Sequence, residues 1–308
     1  MPCYHPLTAY HSTGGTISFD PNKSFGKSFS LQLPCGRCIG CRLEKAKEWA
    51  LRCNHEASMH EAGLNNSYIT LTYATEHLPK NNNLIKSEFQ NFIRSLRKRT
   101  KKKIRYFMCG EYGVATAENK WIARPHFHAL LFGYRFPNPK LVNIRKGNRV
   151  YTDALLTKIW GKGACEIGAV TFQSAGYVAR YILKKQQGEP EEIFNRYVII
   201  NRETGEMSSR QLEYISMSLK KGIGEKWYEQ NSSDCFPHDY CVLPDGRQTP
   251  VPTYYRNLLR KNDPALWEKL RLIRIEKSKN NPNNTPDRLA IRETCQREKL
   301  TRLPRNSL

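Results

Sequence analysis

Two histidines separated by one residue, in the stretch Arg124-Pro125-His126-Phe127-His128-Ala129-Leu130-Leu131-Phe132, are well placed to do chemistry. In an extended strand, residues i and i+2 project from the same face, so both imidazoles point one way. Two imidazoles make an incomplete site for a hard divalent ion, and a third, acidic ligand is expected. Glu111, in Gly110-Glu111-Tyr112-Gly113, meets that need on geometry. If the strand ending at Glu111 pairs antiparallel with the strand starting at His126, through a turn near Glu118-Asn119, Glu111 falls opposite His126 or His128. Directly opposed residues share a face with Cβ atoms about 5 Å apart, so one ion can be shared. Pro125 has no N–H to give a ladder, which suits the first residue of a strand. Manganese or magnesium fits a phosphate-transfer site with open positions, and two histidines would also tolerate zinc. The plain alternative is a packed or solvent-facing histidine pair.

A second set of reactive groups follows in Tyr177-Val178-Ala179-Arg180-Tyr181. Four residues apart on a helix, Tyr177 and Tyr181 share a face, and Arg180 and Lys184 each lie three residues beyond one of them. A tyrosine of ordinary pKa, about 10, is a weak nucleophile at neutral pH. A neighbouring cation favours the phenolate and can also receive a scissile phosphate. The alternative is an amphipathic helix whose tyrosines sit on the core boundary. Taken together, a metal-type histidine pair and a tyrosine pair point to phosphodiester cleavage through a covalent phosphotyrosine.

Cys35, Cys38 and Cys41 form a C-x2-C-x2-C knuckle that needs a fourth ligand, with Cys53 and His55 as local candidates. A structural zinc site is the expectation; an iron–sulfur cluster and three free thiols are the alternatives. Cys109, Cys165, Cys235, Cys241 and Cys295 have no such grouping and are assigned to packing.

Composition sets the partner. Lys and Arg number 50 against 28 Asp and Glu, a formal charge of +22 on 308 residues with a sequence pI near 9.7. Such an excess repels itself unless it meets a polyanion, so nucleic acid is the leading partner and an anionic membrane the weaker one. The densest basic run supplies Arg94, Arg97, Lys98, Arg99, Lys101, Lys102, Lys103 and Arg105 as phosphate contacts, together with the carboxy-terminal helices. These would give salt-sensitive affinity with little sequence choice. No apolar run approaches the roughly 20 residues of a membrane span, and the first residues lack a signal-peptide pattern. The chain reads as soluble and intracellular, with reduced cysteines.

The positioning elements are legible from pattern. Residues 1–34 read as irregular. Leu43, Ala46, Trp49, Ala50 and Cys53 form a helical stripe that ends near Gly63. Ser67 to Tyr73 alternates as a strand. Ser87 is expected to cap a helix that buries Phe89, Phe92, Ile93 and Leu96. Ile104 to Gly110 and His126 to Phe132 read as strands, Tyr151 to Trp160 as a helix, Val170 to Phe172 as a short strand and Ala175 to Lys185 as a helix. Arg196 to Arg202 and Leu212 to Met217 are expected strands, Tyr254 to Ser278 is helical, and the last twenty or so residues are a helix or a loose tail. The expected division is 1–63, 64–230 and 231–308.

In these motifs the chain resembles the replication initiators of gokushovirus-like microviruses, rolling-circle HUH endonucleases. The resemblance covers most of residues 1–230. Its residues are Cys3, the run Pro34 to Arg42, Trp49, Arg52 and Glu56, Ile69 to Tyr73, the glutamate, histidine and tyrosine motifs, and Lys221-Gly222-Ile223-Gly224. Arg180 stands where lysine is usual and Ser174 where a hydrophobic residue is frequent. The resemblance implies an α+β fold, with a central antiparallel sheet flanked by helices, an amino-terminal cysteine knuckle and a basic helical carboxy-terminal region. It makes Cys3 the fourth knuckle ligand. It implies that His126, His128 and Glu111 hold the metal, and that Tyr177 or Tyr181, assisted by Arg180 and Lys184, attacks a single-stranded or extruded origin. A 5′-phosphotyrosyl link and a priming 3′-hydroxyl would result, and the second tyrosine would later release a closed circle. It also implies work in a bacterial host cytoplasm beside a host helicase and polymerase. The competing readings are a non-catalytic zinc-containing nucleic-acid binder and a metal nuclease that uses water.

Overall fold

In the computed structural model the described residues are 3–12, 16–23, 30–61, 64–113, 124–145, 147–184, 197–200, 203–278 and 281–302, without the side chains of 181–184 and 302. The amino-terminal half forms β1 (Leu7–His11), β2 (Ile17–Ser18), β3 (Ser30–Leu33), α1 (Ile39–Ser58), β4 (Asn66–Thr72), α2 (Lys86–Thr100), β5 (Arg105–Tyr112) and β6 (Pro125–Phe132). There follow β7 (Lys140–Arg145), β8 (Asn148–Thr152), α3 (Ala154–Trp160), β9 (Cys165–Gly168) and α4 (Phe172–Lys184). The remainder forms β10 (Val198–Ile200), β11 (Met207–Ser209), β12 (Tyr214–Met217), α5 (Glu225–Asn231), β13 (Tyr240–Val242), β14 (Gln248–Pro250), α6 (Thr253–Asn262), α7 (Pro264–Ser278) and α8 (Pro286–Arg302). Two units result, Met1–Ala46 with Arg256–Ser307, and Lys47–Tyr255 with Leu308.

In the larger unit seven strands form one sheet in the order β12-β5-β6-β4-β9-β8-β7, every pairing antiparallel. Strand parity sorts its two faces. On one face Ile69, Leu71, Met108, Phe127, Ala129, Leu131 and Ile167 are buried against Phe89, Phe92, Ile93 and Leu96 of α2 and Leu156 and Trp160 of α3. The α2 residues recur at helical spacing, and the helix stops where Lys101 turns left-handed at φ 53°. The opposite face carries Glu111, His126 and His128, and α4 packs over β5, β6 and β12. The sheet is therefore a plate with a hydrocarbon back and a polar front.

Several elements differ from the sequence expectation. Residues 1–34 hold a three-stranded sheet, β2-β1-β3; its strands are too short and too polar to show a period. Strand β8 occupies Val150-Tyr151-Thr152, and α3 begins only after Asp153. The Asp153 carboxylate accepts from the Leu155 and Leu156 amides and fixes the start. Ser87 lies inside α2, whose cap position is Ile85 without a side-chain bond. The strand before α4 is Cys165–Gly168, and Phe172 already belongs to the helix. There the Thr171 hydroxyl accepts from the Ser174 amide at 3.0 Å while the Ser174 hydroxyl accepts from the Thr171 amide at 2.8 Å. This reciprocal cap accounts for a buried serine at a frequently apolar position. The last residues form helix α8. The expected turn at Glu118-Asn119, the helix end at Gly63 and Lys185 lie outside the described residues.

Candidate metal centre, tyrosine helix and cysteine knuckle

The register of β5 on β6 sets Glu111 directly opposite His126 and Cys109 opposite His128. One carboxylate oxygen, Glu111 Oε1, lies 2.6 Å from His126 Nε2 and 3.2 Å from His128 Nε2. Glu111 and His128 are buried, and His126 is half-buried, so the group opens on the His126 side. Each imidazole is oriented from behind. His126 Nδ1 lies 3.1 Å from the Arg124 carbonyl, which only accepts, so Nδ1 carries the proton. Its Nε2 then meets the carboxylate either as an imidazolium or as one of two ligands to a shared cation. His128 Nδ1 is 2.7 Å from Tyr68 Oη and 3.0 Å from Thr70 Oγ1, and either hydroxyl can accept from it or donate to it. These contacts behind the rings fix the aim of both and, at His126, the tautomer, as supporting groups do for metal-binding histidines.

Burial pushes the Glu111 carboxyl up, but hydrogen bonds and charge from His126 and His128 outweigh it and hold the group below the ordinary carboxylate range. Burial drives His128 the other way, below the usual imidazole value, against the pull of Glu111. An ionised carboxylate beside a buried imidazole, His128, that resists protonation is a cation site in charge terms. The second carboxylate oxygen, Oε2, is buried with no hydrogen-bond donor among the described residues. A buried, unpartnered anionic oxygen costs several kcal/mol or more unless something positive meets it, so the three residues fit a divalent ion. One ligand atom from each lies within 4.8 Å of the others.

Helix α4 brings Tyr177 to this group. Its ring meets His128 edge-on, with centroids 5.2 Å apart and planes at 87°. Tyr181 and Lys184 belong to α4 by backbone, their side chains lying outside the description, and Arg180 is exposed. Tyr68 is a partner that motif reading did not single out, and Thr70 stood within the Ile69 to Tyr73 motif without a role. The alternation of β4 was the available signal, since parity puts both on the histidine face.

The cysteines converge as well. Sulfurs of Cys3, Cys35, Cys38 and Cys41 all lie within 4.8 Å of one another, with Cys3 and Cys38 at 3.9 Å. Backbone amides of Tyr4, Cys35, Arg37, Cys38 and Cys41 point at sulfurs over 3.3–3.5 Å. Burial raises the Cys38 thiol, but the amides of Cys41 and Tyr4 overcome it and bring it down to about 6. Burial and the neighbouring cysteines keep Cys41 above its usual value. A thiol set with one member shifted toward the thiolate and amides aimed at the sulfurs fits one tetrahedral ion. Neither local alternative is a member of the cluster: His55 Nδ1 lies 3.0 Å from Tyr255 Oη with its ring stacked on Trp227, and Cys53 is buried and not among the four. In the same unit His5 pairs with Glu293 of α8 at 2.5 Å, so the last helix meets the arm that carries Cys3.

The basic run divides in two. Arg97 donates to the Ile104 carbonyl at 2.6 and 3.0 Å. Arg105 pairs with buried Glu56 at 2.5 Å and donates to the carbonyls of Lys220, Lys221 and Gly222. These two guanidiniums are tied to the protein's own backbone. Arg94, Lys98, Arg99, Lys101, Lys102 and Lys103 are exposed. The motif residues on α1 act in the same clamp: Arg52 donates to the Ile223 carbonyl between the rings of Trp49 and Tyr254, and Glu56 accepts from the Gly224 amide. Trp49, Arg52, Glu56 and Lys221–Gly224 thus form one structural joint. Among the described residues no helix is long and apolar enough to cross a membrane.

Known proteins are similar to this sequence. Residues 66–186, which span β4 to the end of α4, match the family model "Replication-associated protein ORF2/G2P". The chain is 34% identical over 276 residues to the replication-associated protein VP4 of Bdellovibrio phage phiMH2K, covering 87% of this chain and 80% of that one. It is 28% identical over 279 residues to the replication-associated protein ORF2 of Spiroplasma virus 4, covering 83% and 79%. It is 32% identical over 245 residues to the replication-associated protein ORF4 of Chlamydia phage 1, covering 76% and 55%. No solved structure matches. With a polar sheet face, a carboxylate–histidine centre and a cysteine knuckle on one chain, and with these likenesses along most of its length, the protein belongs to the replication-associated initiator proteins of microvirus-like phages.

Proposed function

We propose that this replication initiator nicks and rejoins single-stranded origin DNA as a metal-dependent HUH endonuclease, using a tyrosine of α4 as the nucleophile. The observation that supports this most is the contact of the Tyr177 ring with His128, which puts a phenol beside a buried carboxylate–histidine group. Manganese or magnesium suits the hard oxygen of Glu111 with two imidazoles, and when bound would polarise a phosphate oxygen as a Lewis acid. Glu111, His126 and His128 would hold and orient that ion, and Tyr68 and Thr70 position the His128 ring. The tyrosine oxygen bonds to phosphorus as its proton passes to solvent water. The bond to the 3′-oxygen breaks, and that oxygen gains a proton to become the priming hydroxyl. Arg180 and Lys184 supply positive charge to phenolate and phosphate, and Tyr181 repeats the attack after one round. Bond energy is kept in the phosphotyrosyl ester, so rejoining needs no nucleotide. Host helicase and polymerase are the expected partners, in the bacterial cytoplasm.

The cysteine knuckle is proposed to hold zinc in a structural role. A tetrahedron with Zn–S bonds of about 2.3 Å has sulfur–sulfur edges of about 3.8 Å, beside 3.9 Å between Cys3 and Cys38.

The test is incubation of the chain with single-stranded phage-type DNA and manganese, followed by denaturing electrophoresis. A nickase yields cut strands and a covalent protein–DNA adduct. A water-using nuclease yields cuts without adduct, and a binding protein yields neither; either result refutes the proposal.

A further inference from the structure

The polar face of the sheet continues past the metal centre, and its far end is built of cations and amides. From His128 the ladder runs to Thr70 on β4 and then to Glu166 on β9, each directly opposite the last. Directly opposed residues share a face, so Glu166 lies on the side of Glu111 and the histidines, two strands from His128, or about 10 Å. Beyond it stand β8 and β7, an edge hairpin. Tyr151 pairs with Ile167 on the hydrocarbon face, which puts Thr152, Val150 and Asn148 on the polar one.

Plain alternation along β7 would send Arg145 to the hydrocarbon face. An irregularity between Leu141 and Asn143 prevents this: the pairs are Lys140 with Thr152, Leu141 with Tyr151, Asn143 with Val150 and Arg145 with Asn148. The bulge at Val142 re-aims the strand, so Lys140, Asn143, Arg145 and Asn148 all fall on the polar face. Bulges that re-aim side chains recur next to active sites. Arg145 then reaches Glu166 through two bonds of 2.6 and 3.0 Å. Among the described residues the fork leaves three of its five N–H donors unspent, and the side chain is 48% exposed. Strand β7 is exposed along its whole length, although it belongs to the sheet that bears the site.

We propose that this hairpin is the track for the strand being cut: Arg145, oriented by Glu166, grips a phosphate adjacent to the scissile one, with Lys140 on a further phosphate and Asn143 and Asn148 on sugar or base edges. The occupant is single-stranded DNA. Its phosphates complement the cations, and a strand reaching the His126 opening from the β7 edge of the sheet crosses β9. The inference rests on the nickase reading and names how the same site receives its substrate.

The test measures binding apart from cleavage. Fluorescein-labelled oligo(dT) is titrated by anisotropy with the full zinc-loaded chain, no other divalent ion being added, over a range of salt. Arg145→Gln is expected to weaken binding and to reduce the slope of log K on log salt by about 0.7, the amount for one phosphate contact on a single strand. Arg145→Lys, keeping the charge, is expected to restore that slope. Glu166→Gln breaks the same ion pair from its other side. It is expected to tighten binding, since a carboxylate beside the phosphates is gone and the guanidinium is released. If the pair is only a brace for the hairpin, Arg145→Gln and Glu166→Gln act alike with no change of slope, and the proposal is overturned. Failure of the wild-type chain to retain oligo(dT) overturns it too. The adduct assay separates the two ideas: adduct formation with an unchanged slope in Arg145→Gln removes the track and leaves the nickase.

Discussion

Helix α1 carries one end of the cysteine knuckle and, farther along, His55, whose burial makes a quantitative prediction about acid stability. His55 is only 7% exposed; its ring stacks on Trp227 with centroids 3.5 Å apart, and Nδ1 lies 3.0 Å from Tyr255 Oη. Burial lowers its pKa to about 3. In the unfolded chain an imidazole takes up its proton near pH 6.5. Between those values the unfolded state binds a proton that the folded state refuses, so stability is full above the unfolded pKa and falls as the solution is acidified. The folded value lies far below pH 5, so the unfolded value sets the size of the effect. From pH 7.5 to pH 5.0 the loss from this group is about 2 kcal/mol. Urea unfolding of the wild type and of His55→Asn at the two pH values measures it. The variant is less stable throughout, having lost the stack on Trp227, but its pH-dependent loss is expected to be smaller by about 2 kcal/mol. Equal losses in the two proteins would refute the reasoning and mean that His55 is protonated when folded.

Other outcomes follow from the same geometry. Gly224→Ala places a Cβ against Tyr255 Oη at a φ of +78°, and is expected to destabilise by about 1–3 kcal/mol in thermal or urea unfolding. Glu111→Gln removes the one carboxylate that the described residues bring to the candidate metal centre; manganese affinity by titration calorimetry is expected to fall at least tenfold. Cys38→Ser is expected to reduce bound zinc from about one per chain to well below it in elemental analysis, and to lower stability, since metal binding and folding of such knuckles are one process.

Much of the candidate centre was legible because it depends on parity and register. His126 and His128 could share a face only on a strand, and Glu111 met them because β5 and β6 form neighbouring antiparallel strands with an N–H-free Pro125 at the start. The α2 stripe was equally plain, since Phe89, Phe92, Ile93 and Leu96 leave no other period. The amino-terminal sheet was missed for a physical reason. Its partners, such as Thr8 with Gln32, bring polar side chains together on strands of two to five residues, so pairing rather than burial holds it. The α3 boundary was misplaced because Tyr151 fits either a strand or a helix, and only the Asp153 cap decides. The density of cations around Arg99 concealed a division of labour. Arg97 and Arg105 carry the same charge as their neighbours, but carbonyls and Glu56 waiting in three dimensions claim them. Nothing in the local sequence distinguishes an arginine that seeks phosphate from one that seeks backbone. The bulge in β7 was similarly invisible, since a single extra residue changes no composition.

The most direct measurement is peptide mapping of the covalent species. The chain is incubated with single-stranded origin-type DNA and manganese, digested with nuclease and protease, and read by tandem mass spectrometry. A nucleotide-phosphate adduct is expected on Tyr177 or Tyr181 in the wild type, moving to the remaining tyrosine in each single phenylalanine variant and disappearing in the double variant. An adduct on a residue outside α4, or cut DNA with no modified peptide, would contradict the convergence of phenol, imidazoles and carboxylate on one phosphate.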